Sequence, residues 1–294
     1  MGHIIYPYRS VLYVPASNAR ALAKAQEVAA DAVILDLEDA VAPSAKDLAR
    51  QQLVALLRAP GAMGSKRCLV RVNGQDTPWG AADLASLAQL RCDGVVLPKV
   101  ERPESVLQCR EHLRPEQSLW LMIETPRGVQ RVDDLCIAAP SIAGLILGST
   151  DLAAALRARP GTARTPLLYA MQRIVCAARA AGIVAIDGIH RDLDDEEGLR
   201  IACEQGREMG FDGKSLIHPK SIAMANAVFS PSVEDCANAE RVIAAVTAAS
   251  EAGCGVAVVD GRLIEHMHVA EAERVLALAQ AIALAHSPIP ANCR

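Results

Sequence analysis

Short apolar runs alternate along the chain with longer segments whose apolar residues recur at helical spacing. The short runs are too apolar for strands with one wetted face and too short for helices, which predicts parallel strands covered by helices. The segments between them carry helix-start signals, such as Ser17 or Asn18 before the first and Pro43 before the second. The predicted strands are SVLYVP (10–15), AVILDL (32–37), CLVRVN (68–73), GVVLPK (94–99), LWLMIE (119–124), AGLILG (143–148), IVAIDG (183–188) and DGKSLI (212–217).

Eight strands with helical crossovers predict an α/β fold of the (β/α)8 (TIM) barrel type. A doubly wound open sheet has the same alternation and is the alternative. Neither G-x-G-x-x-G after the first strand nor G-x-x-x-x-G-K-[ST] occurs in the sequence, which argues against the nucleotide-binding forms of that alternative.

The pattern changes near residue 230. A long helix is followed by GVAVVDGRLIEHMHV, which predicts a hairpin turning at Asp260-Gly261, and then by a last helix. We therefore divide the chain into a catalytic barrel, residues 1–230, and a C-terminal extension, residues 231–294. The extension is predicted to serve as a lid or an oligomer clamp.

Composition narrows the classes of function. Of the 294 residues, 51% are hydrophobic, which excludes a disordered chain. Thirty basic against 34 acidic residues give a net charge of −4, so neither nucleic acid nor a membrane is expected as a partner. No signal-peptide pattern opens the sequence, and nine scattered cysteines without C-x-x-C spacing are typical of reduced thiols. A cytoplasmic protein is expected.

Charged residues stand where most of the predicted strands end. Active sites of TIM barrels lie at the carboxyl ends of the strands, and charges are costly to bury without partners. Such a ring, with carboxylates in excess, predicts a metal ion and an anionic ligand. Its members are Asp36, Glu38, Asp39, Arg71, Lys99, Glu124, Asp151, Asp187 and Lys214.

Glu124 and Asp151 follow neighbouring strands and are the candidate Mg²⁺ ligands, since Mg²⁺ is usually held by one or two carboxylates and water. The alternatives are an ion pair of Glu124 with Arg127 and a helix cap at Asp151.

Asp36 and Glu38 are expected on one face of their strand, where they would orient metal-bound water. The guanidinium of Arg71 is expected to bind a substrate carboxylate through two N–H groups or, as the alternative, to form a salt bridge to these acids.

Two lysines allow a different chemistry. Lys99 or Lys214 at a strand end would permit a metal-free Schiff-base aldolase, although charge balance is the preferred interpretation. Four histidines (His190, His218, His266 and His268) lack ligand spacing and are not expected to bind metal. Asp260 would by itself be a turn residue.

The motifs together are similar to a known family. RSVLYVPASNARALAKA, AVILDLEDAVAPSAKDLAR, VRVNG, GVVLPKVE, MIETPRGV, GSTDLAA, AIDG and GKSLIHPKSI occur in the order found in the citrate lyase β-subunit-like proteins of the HpcH/HpaI aldolase superfamily. The resemblance covers residues 9–285 and is strongest to the free-standing citramalyl-CoA and malyl-CoA lyases.

The resemblance implies a (β/α)8 barrel with one Mg²⁺ per subunit and a CoA thioester as substrate. Glu124 and Asp151 match the metal-binding acids, which also meet the substrate, and Arg71 matches the arginine that holds the keto-acid carboxylate. Glu38 and Asp39 match the acidic pair near the metal waters. The first loop and helix, with Ser17, Asn18, Arg20 and Lys24, match the region that meets CoA.

The resemblance also gives the C-terminal extension a role. VVDGRLIEHMH matches a hairpin whose aspartate, here Asp260, acts as acid and base in the site of a neighbouring subunit of a homotrimer or hexamer. The expected reaction is cleavage of citramalyl-CoA to acetyl-CoA and pyruvate, or of malyl-CoA to acetyl-CoA and glyoxylate. Alternatives are a citryl-CoA lyase subunit, a malyl-CoA thioesterase and a non-enzymatic acyl-CoA-binding regulatory subunit.

Overall fold

The computed structural model describes residues 6–58, 61–251, 253 and 256–286. The chain divides into two compact units. One spans Tyr8–Phe229, and the other contains the described residues from Ser230 onward together with Tyr6 and Pro7. Each unit is described by itself.

The larger unit is a closed barrel of eight parallel strands in sequence order, β1 pairing with both β2 and β8, and this confirms the predicted (β/α)8 fold. The strands are β1 Ser10–Pro15, β2 Ala32–Asp36, β3 Arg67–Arg71, β4 Gly94–Leu97, β5 Ser118–Ile123, β6 Ile142–Leu147, β7 Val184–Asp187 and β8 Gly213–Leu216.

Helices connect the strands, and local signals fix several helix ends. The Asn18 side chain accepts a hydrogen bond from the Ala21 amide and so caps α1, while Gly182 ends α8 in the left-handed conformation. The helices of this unit are α1 Ala19–Ala25, α2 Lys46–Leu57, α3 Gly80–Leu87, α4 Pro103–Glu111, α5 Pro126–Gln130, α6 Val132–Cys136, α7 Ser149–Ala155, α8 Leu168–Ala181, α9 Glu196–Met209 and α10 Ile222–Val228.

The strand pleat separates two apolar layers. Alternate residues fill the barrel interior, where Trp120 is accommodated because Gly144 on the next strand has no Cβ. Their neighbours along the strands face outward against the helices, as Val33 and Leu35 do. Tyr13 packs against this interior layer, and the Arg71 guanidinium at the end of β3 lies over its ring, so the polar residues at the carboxyl ends of the strands form the barrel mouth.

Several strands are shorter than the sequence pattern predicted. β2 ends at Asp36, so Glu38 lies in the following loop, and the prediction that both acids share one strand face is wrong. The loop turns because the Asp36 carboxylate accepts hydrogen bonds from the backbone N–H groups of Glu38 and Ala40, at 2.9 and 3.1 Å. The two carboxylates nevertheless meet at Arg71.

The second unit is built from helix α11 (Val233–Glu251), strands β9 (Ala257–Val259) and β10 (Arg262–Ile264), and helix α12 (His266–His286). The two strands form an antiparallel hairpin, and both turn residues have positive φ, 49° at Asp260 and 76° at Gly261. The helix–hairpin–helix order agrees with the sequence pattern. Its role as a lid or an oligomer clamp stays a prediction.

The described helices include none that is long and apolar enough to span a membrane. Seven cysteines are free thiols, of which Cys176 is exposed and Cys236 is half-buried. The buried ones are Cys68, Cys92, Cys109, Cys136 and Cys203. Cys254 and Cys293 lie outside the described residues.

Candidate active site

Four carboxylates gather at the barrel mouth around one lysine. Lys99 follows β4, and its ammonium contacts Glu38 closely and lies 3.3 Å from Asp39 Oδ2 and 3.5 Å from Asp151 Oδ2. Its backbone N–H donates to Glu124 Oε1 at 2.8 Å. We call Glu38, Asp39, Glu124 and Asp151 the carboxylate cluster. Since its members come from the loops after β2 and β5 and from the first turn of α7, only the closed barrel brings them together.

Arg71 is fixed beside this cluster by two acids. Its Nε and Nη2 donate to the two oxygens of Asp36 at 2.7 and 2.6 Å, and its Nη1 lies 2.9 Å from Glu38 Oε2. The salt bridge that the sequence allowed as an alternative is therefore present. Because a guanidinium has five N–H groups and three are directed at these carboxylates, two are not used by them. One Nη1 hydrogen faces only the weak acceptor Met122 Sδ at 3.6 Å.

Glu124 is almost fully buried at the end of β5, 2% exposed. Burial, followed by the nearby Glu38 carboxylate, raises the pKa of Glu124 to about 8. Its side chain fills the space beside Gly148, where a Cβ would overlap it. The alternative partner Arg127 instead faces Glu101, at 3.9 Å. Glu124 is thus held in place without a salt bridge to Arg127, and a bound cation would stabilise its charge.

Asp151 lies in the first turn of α7. The helix N-cap is Gly148, and no side chain caps it by a hydrogen bond, so the helix-cap alternative for Asp151 is wrong. The Asp151 carboxylate is partly exposed and points to the Lys99 ammonium.

Glu38 and Asp39 are neighbours with opposite pKa shifts. Burial raises the pKa of Glu38, although Arg71 and Lys99 oppose the rise. Partial burial opposes a fall in the pKa of Asp39, but hydrogen bonding with Glu38 and the charge of Lys99 lower that pKa. The buried Glu38 therefore holds a proton more readily than Asp39 beside it.

The donor set fits Mg²⁺. All candidate ligands are carboxylate oxygens, and Glu124 and Asp151 are both within reach of Lys99. Within the described ranges, no three His, Cys, Asp or Glu side chains are grouped closely enough to enclose a metal. Mg²⁺ does not need such an enclosure, since it is commonly bound by one or two carboxylates with water or substrate completing the octahedron.

The predicted CoA-binding residues lie at the first loop and on α1. Ser17 is half-buried in the loop, and Asn18 is occupied as the helix cap. Arg20 and Lys24 are exposed and stand one turn apart, so both cations face the same side of α1.

Asp260 belongs to the second unit. It is exposed at the hairpin turn, and its Oδ2 lies 3.5 Å from Arg241 Nη2. Its part in catalysis stays a prediction.

Asp187 and Lys214 do not join the carboxylate cluster, which corrects the predicted ring of charges. Both are fully buried and bonded to each other, Lys214 Nζ to Asp187 Oδ2 at 2.7 Å. Lys214 lies on the same strand face as Leu216, which belongs to the outer apolar layer. The two carboxylate oxygens of Asp187 each accept a hydrogen bond from Arg164 Nη1 at 2.8 Å. These charges anchor the loop of residues 157–166 to the barrel wall.

Neither lysine suits a Schiff base. Lys214 is closed off from solvent by its burial. Burial opposes a rise in the pKa of Lys99, but its carboxylate partners, Glu38 first, raise it above the ordinary value. A nucleophilic lysine needs a lowered pKa, so the geometry argues against the aldolase alternative.

Sequence reasoning missed two supporting residues. Tyr13 faces the interior, and the Arg71 guanidinium stacks on its ring at 4.9 Å. Lys46, at the start of α2, donates to the backbone carbonyls of Leu37 and Glu38, both at 2.8 Å. An aromatic residue near the end of a buried strand was the available signal for Tyr13, whereas nothing local distinguishes Lys46 from a solvated helix residue.

Known proteins are similar to this chain in sequence and in fold. It is 46% identical to a (3S)-malyl-CoA thioesterase of Cereibacter sphaeroides over 96% of this chain and 98% of the relative. It is 35% identical to the citrate lyase subunit beta of Leuconostoc mesenteroides subsp. cremoris over 93% of each chain.

Among solved structures, CitE of Mycobacterium tuberculosis in complex with magnesium, acetoacetate and coenzyme A is 32% identical, with a TM-score of 0.77. This match covers 93% of this chain and 98% of that one. RipC of Yersinia pestis is 32% identical with a TM-score of 0.68, over 78% of this chain and 98% of that one.

These similarities extend over both the barrel and its mouth. The model of the HpcH/HpaI aldolase/citrate lyase family matches residues 9–219, which include every barrel strand and the carboxylate cluster. The resemblance found in the sequence motifs is confirmed, and the chain belongs to the HpcH/HpaI aldolase/citrate lyase family.

Proposed function

We propose that this chain is a Mg²⁺-dependent thioesterase that hydrolyses (3S)-malyl-CoA or a closely similar 3-hydroxydicarboxylic acyl-CoA. The observation that carries the proposal is the 46% identity to a (3S)-malyl-CoA thioesterase over 98% of that protein's length. The barrel mouth supports it by combining carboxylates for a metal with a guanidinium for a substrate carboxylate.

In this proposal Glu124 and Asp151 hold the Mg²⁺. The complex of the related CitE protein with magnesium supports the choice of metal. When bound, the ion supplies Lewis-acid polarisation of a substrate oxygen. The remaining chemistry is assigned to the side chains of this chain.

Arg71 binds the free carboxylate of the malyl group. Asp36 holds the guanidinium in one orientation, and Tyr13 supports its flat face. A planar fork that is fixed before substrate arrives loses little entropy on binding and favours a dicarboxylic acyl group over a monocarboxylic one.

Asp39 is proposed as the general base for hydrolysis. Its lowered pKa keeps it ionised, and it lies beside Glu38 at the mouth. Asp39 takes a proton from water as the water oxygen bonds to the thioester carbonyl carbon. The C–S bond then breaks, and the sulfur of CoA leaves with the proton that Asp39 returns. The products are malate and CoA.

The CoA moiety is proposed to reach α1. Arg20 and Lys24 present two exposed cations on one side of this helix, which suits the phosphates of CoA. Ser17 and Asn18 complete this region at the start of the helix.

Cleavage of a carbon–carbon bond is the second candidate, favoured by the 35% identity to a citrate lyase subunit beta over 93% of its length. Malyl-CoA would give acetyl-CoA and glyoxylate, and citramalyl-CoA would give acetyl-CoA and pyruvate. Here Asp260 from a neighbouring subunit of a trimer or hexamer would protonate the acetyl-CoA enolate on carbon.

Product analysis separates the two reactions. Purified enzyme is incubated with (3S)-malyl-CoA or citramalyl-CoA, with Mg²⁺ or with EDTA, and the products are identified by liquid chromatography and mass spectrometry. Malate and free CoA, formed only with Mg²⁺, are expected. Acetyl-CoA with glyoxylate or pyruvate would overturn hydrolysis in favour of cleavage, and turnover in EDTA would overturn the metal assignment.

Variants test the assigned residues. Glu124→Gln and Asp151→Asn should each abolish Mg²⁺-dependent turnover, whereas Asp133→Asn, which removes an exposed carboxylate paired with Arg173, should retain it. Asp260→Asn should leave hydrolysis intact. If Asp260→Asn is inactive and activity returns on mixing it with inactive Glu124→Gln subunits, the shared-site cleavage mechanism is supported instead.

A further inference from the structure

Lys99 contacts every member of the carboxylate cluster. Its ammonium bridges Glu38, Asp39 and Asp151. Its backbone N–H donates to the remaining member, Glu124, at 2.8 Å. One residue therefore holds together carboxylates that come from two loops and the first turn of α7.

The backbone of Lys99 is adapted to this double contact. Its φ is +51°, in the left-handed region that non-glycine residues enter at a cost. Such backbone strain persists where the surrounding structure enforces it, and it is concentrated at functional sites. Here it directs the N–H towards Glu124 while the side chain extends to the opposite members of the cluster.

The charges explain why the cluster needs a cation. Glu38 and Glu124 are buried, 6% and 2% exposed, and each lies near a second carboxylate. The repulsion between these two buried carboxylates is offset by the Arg71 guanidinium on one side and the Lys99 ammonium on the other. Arg71 pairs with Asp36 and Glu38, so the side chain that forms ion pairs with both Asp39 and Asp151 is that of Lys99.

We propose that the Lys99 ammonium is a built-in counter-ion that competes with the divalent cation for the carboxylate cluster and so sets the affinity for Mg²⁺. Lys99 is then a positioning residue, which keeps the carboxylates together before the metal binds. The proposal rests on the proposed function in one respect, namely that Mg²⁺ binds at Glu124 and Asp151.

Titration calorimetry of the metal-free full-length protein with Mg²⁺ tests this competition. Lys99→Met keeps the length of the side chain and removes its charge, so its Kd should be at least about tenfold lower than that of the unaltered protein. Lys99→Arg keeps the charge and should stay within about threefold. The control Lys66→Met removes a lysine that precedes β3, at the opposite end of the barrel, and should leave the Kd unchanged.

Thermal unfolding gives a second readout that a purely structural lysine would not produce. Lys99→Met should lower Tm in EDTA and regain the lost stability at saturating Mg²⁺, whereas a structural role would lower both values equally. Lys99→Gly relieves the left-handed backbone and removes the same charge, so it should reproduce the gain in Mg²⁺ affinity.

The outcomes distinguish the two proposals. If the unaltered protein binds Mg²⁺ and both Lys99→Met and Lys99→Gly bind it equally or more weakly, the counter-ion proposal is wrong while the proposed function stands. If the unaltered protein takes up no Mg²⁺, the proposed function itself fails.

Discussion

Replacing Asp36 by asparagine should destabilise the barrel and release Arg71. The Asp36 side chain is completely buried, and its carboxylate accepts four hydrogen bonds. Oδ1 accepts from Arg71 Nε and the Glu38 amide, and Oδ2 accepts from Arg71 Nη2 and the Ala40 amide. In Asp36→Asn, an NH₂ group must face two of these donors, so two hydrogen bonds and the charge are lost.

The structure sets the size of this effect. Removing one partner of a buried ion pair costs about 3–5 kcal/mol. The guanidinium keeps Glu38 as a partner, 2.9 Å from Nη1, and the asparagine carbonyl keeps two of the four bonds. We therefore expect the lower end of this range, a loss of about 3 kcal/mol in the free energy of unfolding. This corresponds to a fall in Tm of roughly 6–12 °C for a unit of this size.

Thermal unfolding followed by circular dichroism, in metal-free buffer, measures the change. The matched control is Asp47→Asn. In the unaltered protein the Asp47 carboxylate is 81% exposed and pairs with Arg50 at 2.8 Å. Because exposed ion pairs contribute about 0–1 kcal/mol, this variant should unfold close to the unaltered protein. If Asp36→Asn lowers Tm no more than Asp47→Asn does, the buried pair does not hold Arg71 as argued.

Three further predictions concern other parts of the barrel. Gly148→Ala places a methyl group against the Glu124 side chain, so Mg²⁺ affinity should fall about tenfold in titration calorimetry, and an unchanged Kd would contradict the contact. Arg71→Lys should lower kcat/KM for malyl-CoA by an amount equivalent to about 2–5 kcal/mol, since a point charge cannot replace the fork; near-normal kinetics would leave Arg71 a purely structural role. Iodoacetamide at about pH 8 should modify the exposed Cys176 and spare Cys109, because burial raises the pKa of the Cys109 thiol to about 12; peptide mapping that found both equally modified would refute this.

The sequence alone determined the secondary-structure elements of this protein. Eight apolar runs separated by helical segments identified the barrel, because buried parallel strands and their covering helices differ in length and composition. The hairpin turn at Asp260-Gly261 was equally local, since few residue pairs adopt positive φ in succession. The carboxylates at the strand ends were recognisable because charge at the end of a buried strand is unusual.

Only the tertiary structure decided which charges meet. Asp187 ends β7 just as Arg71 ends β3, and Lys214 lies near the start of β8, yet both Asp187 and Lys214 face outward from the barrel wall with Arg164. Their direction could not be inferred, because a strand buried on both faces has no polar alternation that marks its inner side; all four residues of β8 are buried. Likewise, nothing local pairs Lys99 with Asp39 or Asp151, since those contacts join segments far apart in sequence. They exist because barrel closure fixes the register of every strand at once, and this register places the loops around a single mouth.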